Sequence, residues 1–287
     1  MRNKNKRWNI LFYIVLVFVL FTACSGKEEG APVNSAINPI DDVSPDNNKP
    51  TDLIGEGSST VESGILPEYN IQSPVTKKMI AIDAGHQSKA NSGKEPIGPG
   101  SKTMKAKVSS GTRGISSGVA EYKLNLVIAK KLKDELINRG YTVYMIRETN
   151  DVNLSNRERA DMADESGADI FIRIHADGST DQKTSGVSTL YPSSDNPYVP
   201  ELSDDSLTLS KDIVDSICKS TGAKNRGAVA RDDMSGINWS TIPVSIIEMG
   251  FMSNPKEDKL MQTKAYQKKI VKGICDGIDT YFEDEND

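Results

Sequence analysis

The chain has 287 residues, 37% of them hydrophobic and 26% charged, with a formal net charge of −5, which allows one large domain or two small ones. Residues 1–24 carry four bases and no acid, residues 25–76 nine acids and two bases, and the remainder 29 bases and 31 acids. Nothing here resembles the basic footprint of a nucleic-acid-binding protein, and that class is set aside.

The N-terminus reads as an address. A basic start leads into an apolar run over 10–23 and then Cys24-Ser25-Gly26. The run is shorter than the ~20 apolar residues that span a bilayer, and the pattern is that of an export signal over 1–24. The cysteine after Thr22-Ala23 resembles a lipoprotein signal in which Cys24 is lipidated, although Phe21 stands where leucine is usual. Ordinary signal cleavage and an uncleaved anchor are the alternatives. All three place the body of the protein outside the cytoplasm, with a membrane lipid anchor as the favoured attachment.

Residues 25–76 show no sustained apolar periodicity and are rich in Pro, Ser, Asn, Gly and acids. Such a stretch buries too little apolar surface to offset its ordering entropy, so it is expected to be a flexible acidic tether. As a coil its ends would lie roughly 40 Å apart. The domain is expected over 77–287. Its first strand, 79–82, runs into Asp83-Ala84-Gly85-His86, and a Gly/Lys/Ser-rich stretch over 87–118 reads as one long loop. A helix follows with Leu124, Ile128, Leu132 and Leu136 at i, i+4 spacing and Gly140 as its stop.

Further strands are expected at 141–146, 169–174, 186–191, 227–230 and 244–247, and helices at 154–166, 203–220, 256–262 and 264–282. Strands alternating with helices predict a single α/β layered domain with a mixed, mostly parallel central sheet flanked by helices. Cys218 and Cys275 both fall in helical patterns, and two independent buried thiols are expected rather than a disulfide.

Three of these strands run into a metal-capable residue at the C-terminal side: His86, His175 and Glu248. In open α/β sheets ligands gather beyond the carboxyl ends of the strands, so the three side chains are expected to meet. The chain has only two histidines, and both occupy such positions. Imidazole suits zinc, and catalytic zinc sites take three protein ligands and leave a position for water. Glu121, opening the helix after the long stretch, is a candidate third ligand; a first-turn acid complementing the helix dipole is the competing reading.

The runs IAIDAGH, GVAEYKLNLVIAKKL, GADIFIRIHAD and VSIIEMGFMSN resemble, in order, the signatures of zinc-dependent N-acetylmuramoyl-L-alanine amidases of the Amidase_3 type, over roughly residues 78–283. The resemblance implies a twisted sheet flanked by helices, with His86, Glu121 and His175 as zinc ligands and Glu248 as the catalytic glutamate. It also implies peptidoglycan as substrate, cut between the lactyl group of N-acetylmuramic acid and L-alanine. The sequence departs from the family pattern at Gln87-Ser88-Lys89, at Ala176-Asp177, at Arg173, where a small residue is common, and in a longer 90–118 segment.

Arg173 and Asn238 are candidate substrate contacts. For Arg173 a salt bridge is an equal alternative, and Trp239 divides between lining the groove and packing. Arg157 and Arg159 read more simply as a solvated helix face than as carboxylate-binding groups. Asp83 either orients a ligand or serves a turn. Two rival functions remain: a catalytically silent wall-binding or activator lipoprotein, and a zinc peptidase acting within the stem peptide. The protein is expected to be a monomer.

Overall fold

The computed structural model describes residues 78–284, so the expected signal over 1–24, with Cys24, and the tether over 25–76 lie outside the described residues. The strands are β1 (Met79–Ala84), β2 (Asn91–Pro96), β3 (Met104–Val108), β4 (Thr142–Met145), β5 (Ile170–Asp177), β6 (Val187–Tyr191), β7 (Asn225–Ala230) and β8 (Val244–Phe251). The helices are α1 (Glu121–Asn138), α2 (Asn156–Glu165), α3 (Ser203–Thr221), α4 (Ser235–Asn238), α5 (Pro255–Met261) and α6 (Lys264–Asp284). Six strands form one sheet in the order β4-β1-β5-β8-β6-β7. All neighbours pair in parallel except β6 with β8. This is the mixed, mostly parallel sheet the sequence predicts.

The two faces of the sheet differ, and the difference places the site. One face carries Ile80, Ile82, Ile170, Ile172, Ile174 and Ile247, packed with the apolar sides of α1, α3 and α6 into the main core. On α1 the predicted stripe Leu124, Ile128, Leu132 and Leu136 is buried throughout. On α6, Gly273 and Gly277 let α3 come close: a Cβ on either would stand 2.5 Å from the Cα of Ile217 or Ile213.

The other face starts the same way and then changes character. Ala81, Phe171, Val244 and Ile246 pack with residues of α2 and α4 in a second apolar cluster. Side chains on one face recur every second residue, so the following positions on this face are Asp83 in β1, Arg173 and His175 in β5, and Glu248 in β8. Towards the carboxyl ends, apolar packing gives way first to a buried ion cluster and then to the His/Glu site.

The 87–118 stretch is not one long loop. It contains the antiparallel hairpin β2–β3, whose alternation is hidden by small and charged residues. The hairpin is held by tertiary bonds: the Trp239 indole N–H donates to the Pro96 carbonyl (2.9 Å) and the Tyr198 hydroxyl to Ser101 (3.0 Å). Cys218 is half-buried, Cys275 is buried, and both are free thiols.

Candidate metal centre

Each residue of the site is aimed by its backbone. His86 follows β1 in the left-handed region, at φ 62°, a conformation that costs a non-glycine residue energy and is retained where the surroundings demand it. Gly85 beside it must lack a side chain, because a Cβ there would lie 2.1 Å from His175 Nε2. Gly111 combines φ +76° with the same crowding, 2.4 Å from Glu121 Oε2. His175 and Glu248 are register partners on the adjacent parallel strands β5 and β8. Glu121 opens α1, whose N-cap, Ala120, gives no side-chain cap.

These elements bring three ligand-bearing side chains together. His86 Nε2 lies 3.1 Å and His175 Nδ1 3.2 Å from the same oxygen, Glu121 Oε1, and the two rings meet nearly edge-on with centroids 4.7 Å apart. His86, Glu121 and His175 form a group able to hold a metal ion, with ligand atoms all within 4.8 Å of one another. A tetrahedral zinc with bonds of about 2.0–2.1 Å needs ligand atoms roughly 3.3 Å apart. The donor set therefore fits in chemistry and in spacing.

Supporting bonds fix His86 and Glu121. His86 Nδ1 lies 3.0 Å from both the carbonyl and the hydroxyl oxygen of Ser109. Glu121 Oε2 accepts from the Thr112 N–H at 2.8 Å, and Oε1 accepts from the Ala176 N–H and the Asn125 amide at 3.2 Å each. Such partners orient a ligand before a metal arrives. Sequence reasoning missed Asn125, Ser109 and Thr112. Only Asn125 left a signal, standing one helical turn after Glu121.

Protonation also favours a ligand set. Burial pushes the His175 imidazole down to about 4, against the opposing pull of Glu121, so the ring is neutral at pH 7. Burial raises the Glu121 carboxyl, but hydrogen bonds from His175 and His86 outweigh it and hold the group well below the usual carboxylate range. Glu248 goes the other way: burial first, then the charges of Glu121 and Asp177, push it well above that range. Its Oε2 and His175 Nε2 are buried without hydrogen-bond partners.

The second polar cluster closes on itself. Asp83 is fully buried; its Oδ1 accepts from Arg159 Nη1 at 2.5 Å and its Oδ2 from Arg173 Nε at 3.0 Å. Asp83 thus anchors arginines rather than orienting a histidine. Arg159 is no part of a solvated face: it has no exposed surface and also reaches the His86 carbonyl and Gln87. Arg157 is exposed and stacks over the Trp239 ring at 4.1 Å.

Of the two candidate substrate contacts, Arg173 lines the cavity that contains His86, His175 and Glu248. Asn238 does not reach it. It is fully buried, accepting from Asn196 and donating to the Asp232 carbonyl, and braces the neighbouring loops.

With this geometry in hand, the likeness to known proteins is informative. The family model described as N-acetylmuramoyl-L-alanine amidase, Amidase_3, matches residues 80–280. The germination-specific N-acetylmuramoyl-L-alanine amidase of Bacillus subtilis is 28% identical, over 75% of this chain and 84% of its own length. The amidase LytC of the same organism is 26% identical over 74% of this chain, but over only 37% of its own length. The CwlD amidase of Clostridioides difficile, solved in complex with the GerS lipoprotein, superposes with a TM-score of 0.55 at 28% identity, covering 72% of this chain and 99% of that one. The chain belongs to the Amidase_3 family of N-acetylmuramoyl-L-alanine amidases, hydrolases of the cell wall.

Proposed function

We propose that the chain is a zinc-dependent amidase in which His86, Glu121 and His175 hold the ion and Glu248 moves the proton. The bond it cuts joins the lactyl group of N-acetylmuramic acid to L-alanine of the stem peptide. The observation that supports this most strongly is the convergence of two imidazoles on one carboxylate oxygen, with Glu248 as the register partner of His175 on the next strand.

Zinc bound there supplies Lewis acidity, which makes water a nucleophile near neutral pH and stabilises the oxyanion that develops. The chain does the rest. Neutral His175 and ionised Glu121 offer lone pairs without first losing a proton. Glu248, whose proton affinity is raised by burial and by the charges of Glu121 and Asp177, takes a proton from water at Oε2 and returns it to the leaving amine. The apolar walls of the cavity, with Leu190, Met234 and Ile246, lower the local polarity and strengthen these electrostatic effects.

Residues 1–24 act as an export signal that leaves Cys24 lipidated, and residues 25–76 carry the domain as a monomer away from the membrane towards the wall. Replacing Cys24 with Ser should move the protein from the membrane fraction to the soluble fraction. Among the described residues, no helix is long and apolar enough to cross a membrane.

Mass spectrometry of digested peptidoglycan tests the reaction. Stem peptides with free L-Ala N-termini are the expected product, absent with Glu248→Gln. Cleavage within the peptide would instead mark a peptidase, and no release a silent binder.

A further inference from the structure

The cavity of about 330 Å³ that contains the His/Glu cluster extends inward along β5 to Arg173. Arg173 precedes His175 by one repeat on the same sheet face, about 7 Å along the strand at ~3.3 Å per residue. Its guanidinium is locked: Nε donates to Asp83 Oδ2 and Nη2 to Asn156 Oδ1, each at 3.0 Å. The remaining nitrogen, Nη1, lies against Gly236, where a Cβ would stand only 1.4 Å away. Gly236 lines the same cavity, so the missing side chain leaves room for this nitrogen beside the cleft.

Cationic side chains gather around that point. The guanidinium groups of Arg147, Arg159 and Arg173 surround the single Asp83 carboxylate, and Arg147 otherwise spends its donors on carbonyl groups and Asn150. Lys105, on β3, lines the cavity as well and donates to the Asp233 carbonyl. Glu95 also acts on Arg173, and Glu248 lines the same cavity at the His/Glu end. A guanidinium and an ammonium on the wall of one cavity suit an anionic ligand group.

We propose that Arg173, with Lys105 at the rim, forms a subsite for a carboxylate on the stem-peptide residue that follows L-alanine, making the enzyme selective for the free α-carboxylate over its amide. The inference rests on the amidase reading above. An extended peptide advances about 3.3–3.6 Å per residue. The α-carboxylate of that residue therefore lies roughly two residue lengths, about 7 Å, from the L-alanine nitrogen, matching the spacing of Arg173 from His175. A guanidinium fixed by Asp83 and Asn156 with its third nitrogen beside the cavity is preorganised to donate to a carboxylate, and a site built for such a bond discriminates against an analogue without the partner group.

The test compares two disaccharide tripeptides, one with D-glutamate and one with D-isoglutamine after L-alanine, by kcat/KM for release of the peptide. The wild-type enzyme should favour the free acid by about tenfold or more, the range of a charge-assisted hydrogen bond. Arg173→Met should bring the ratio towards one. Gly236→Ala should do so as well, because its Cβ displaces Nη1 while the charges remain. Lys105→Met, at the rim, should lower the ratio by a smaller factor and keeps the test decisive if Arg173→Met fails to fold. Equal rates on the two substrates by the wild type, or a ratio unchanged in both Gly236→Ala and Lys105→Met, would overturn the subsite. Failure to release peptide from either substrate would instead overturn the amidase reading.

Discussion

Two buried polar clusters sit side by side on one face of the sheet, and they are built to opposite rules. Around Asp83 the carboxylate oxygens are each taken by an arginine, and the arginines are further fastened to carbonyls, Gln87 and Asn156. Around Glu121, His86 and Glu121 are held by outer partners, yet Glu248 Oε2 and His175 Nε2 are buried without partners. Native interiors rarely leave such groups unpaired. The first cluster therefore reads as a support and the second as a site whose chemistry is completed by something that arrives.

The comparison makes mutations in the open cluster costly for activity and cheap for stability. His175→Ala should abolish activity and take zinc from about one equivalent to almost none by elemental analysis, since the proposed three-ligand site loses a ligand. Glu248→Gln should keep the metal while wall-lytic activity drops by about 10²–10⁴-fold, the usual worth of a general acid–base group. Its melting temperature should stay level or rise, because the buried position no longer carries a group that can ionise beside Glu121 and Asp177. A marked fall in stability for Glu248→Gln would contradict the division between the clusters.

The closed cluster should behave in reverse. Asp83→Asn leaves buried guanidinium groups without their carboxylate and should cost about 3–5 kcal/mol in urea unfolding. Burial raises the Asp83 carboxyl, but Arg159 and Arg173 outweigh it and hold it below the usual carboxylate range. The folded chain then binds fewer protons than the unfolded chain below the unfolded value of about 3.9. The stabilisation is complete above that pH and is lost as pH falls towards the depressed folded value. Wild type and Asp83→Asn should thus differ most near neutrality and converge in acid; a gap that widened in acid would refute the assignment.

A smaller effect belongs to the face that carries no site. Gly277→Ala puts a Cβ 2.5 Å from the Cα of Ile213, where backbone has to yield, and overpacking of this kind costs about 1–3 kcal/mol. Activity at a temperature where the variant remains folded should be little changed.

Much of this was legible in the sequence because apolar periodicity reports the main core directly: the α1 stripe and the strand runs at 80–82 and 170–174 are buried as expected. His86, His175 and Glu248 were legible for a topological reason, as polar residues ending apolar strands. Three features were not. The β2–β3 hairpin has no apolar alternation and depends on distant bonds from Trp239 and Tyr198. Arg159 sits on a helix of mixed charge, where nothing local says that one arginine meets an aspartate 76 positions away. Asn238, beside a tryptophan and a turn, looked like a groove residue, whereas its amide is consumed in bracing loops.

The mildest perturbation probes how the open cluster is held. His86 Nδ1 has two oxygens of Ser109 within 3.0 Å, one from the hydroxyl and one from the backbone carbonyl. Loss of an outer partner usually costs about 10–100-fold in metal affinity or activity. Ser109→Ala removes only the hydroxyl, and the carbonyl can still take the Nδ1 proton and keep Nε2 directed at Glu121. Zinc affinity by competition with a chelator should therefore fall by less than about tenfold, below the usual range for a lost partner. A loss of a hundredfold or more would mean that the hydroxyl, and not the backbone, sets the ring's tautomer. In that case the ligand geometry depends on a side chain of the 87–118 segment rather than on its main chain.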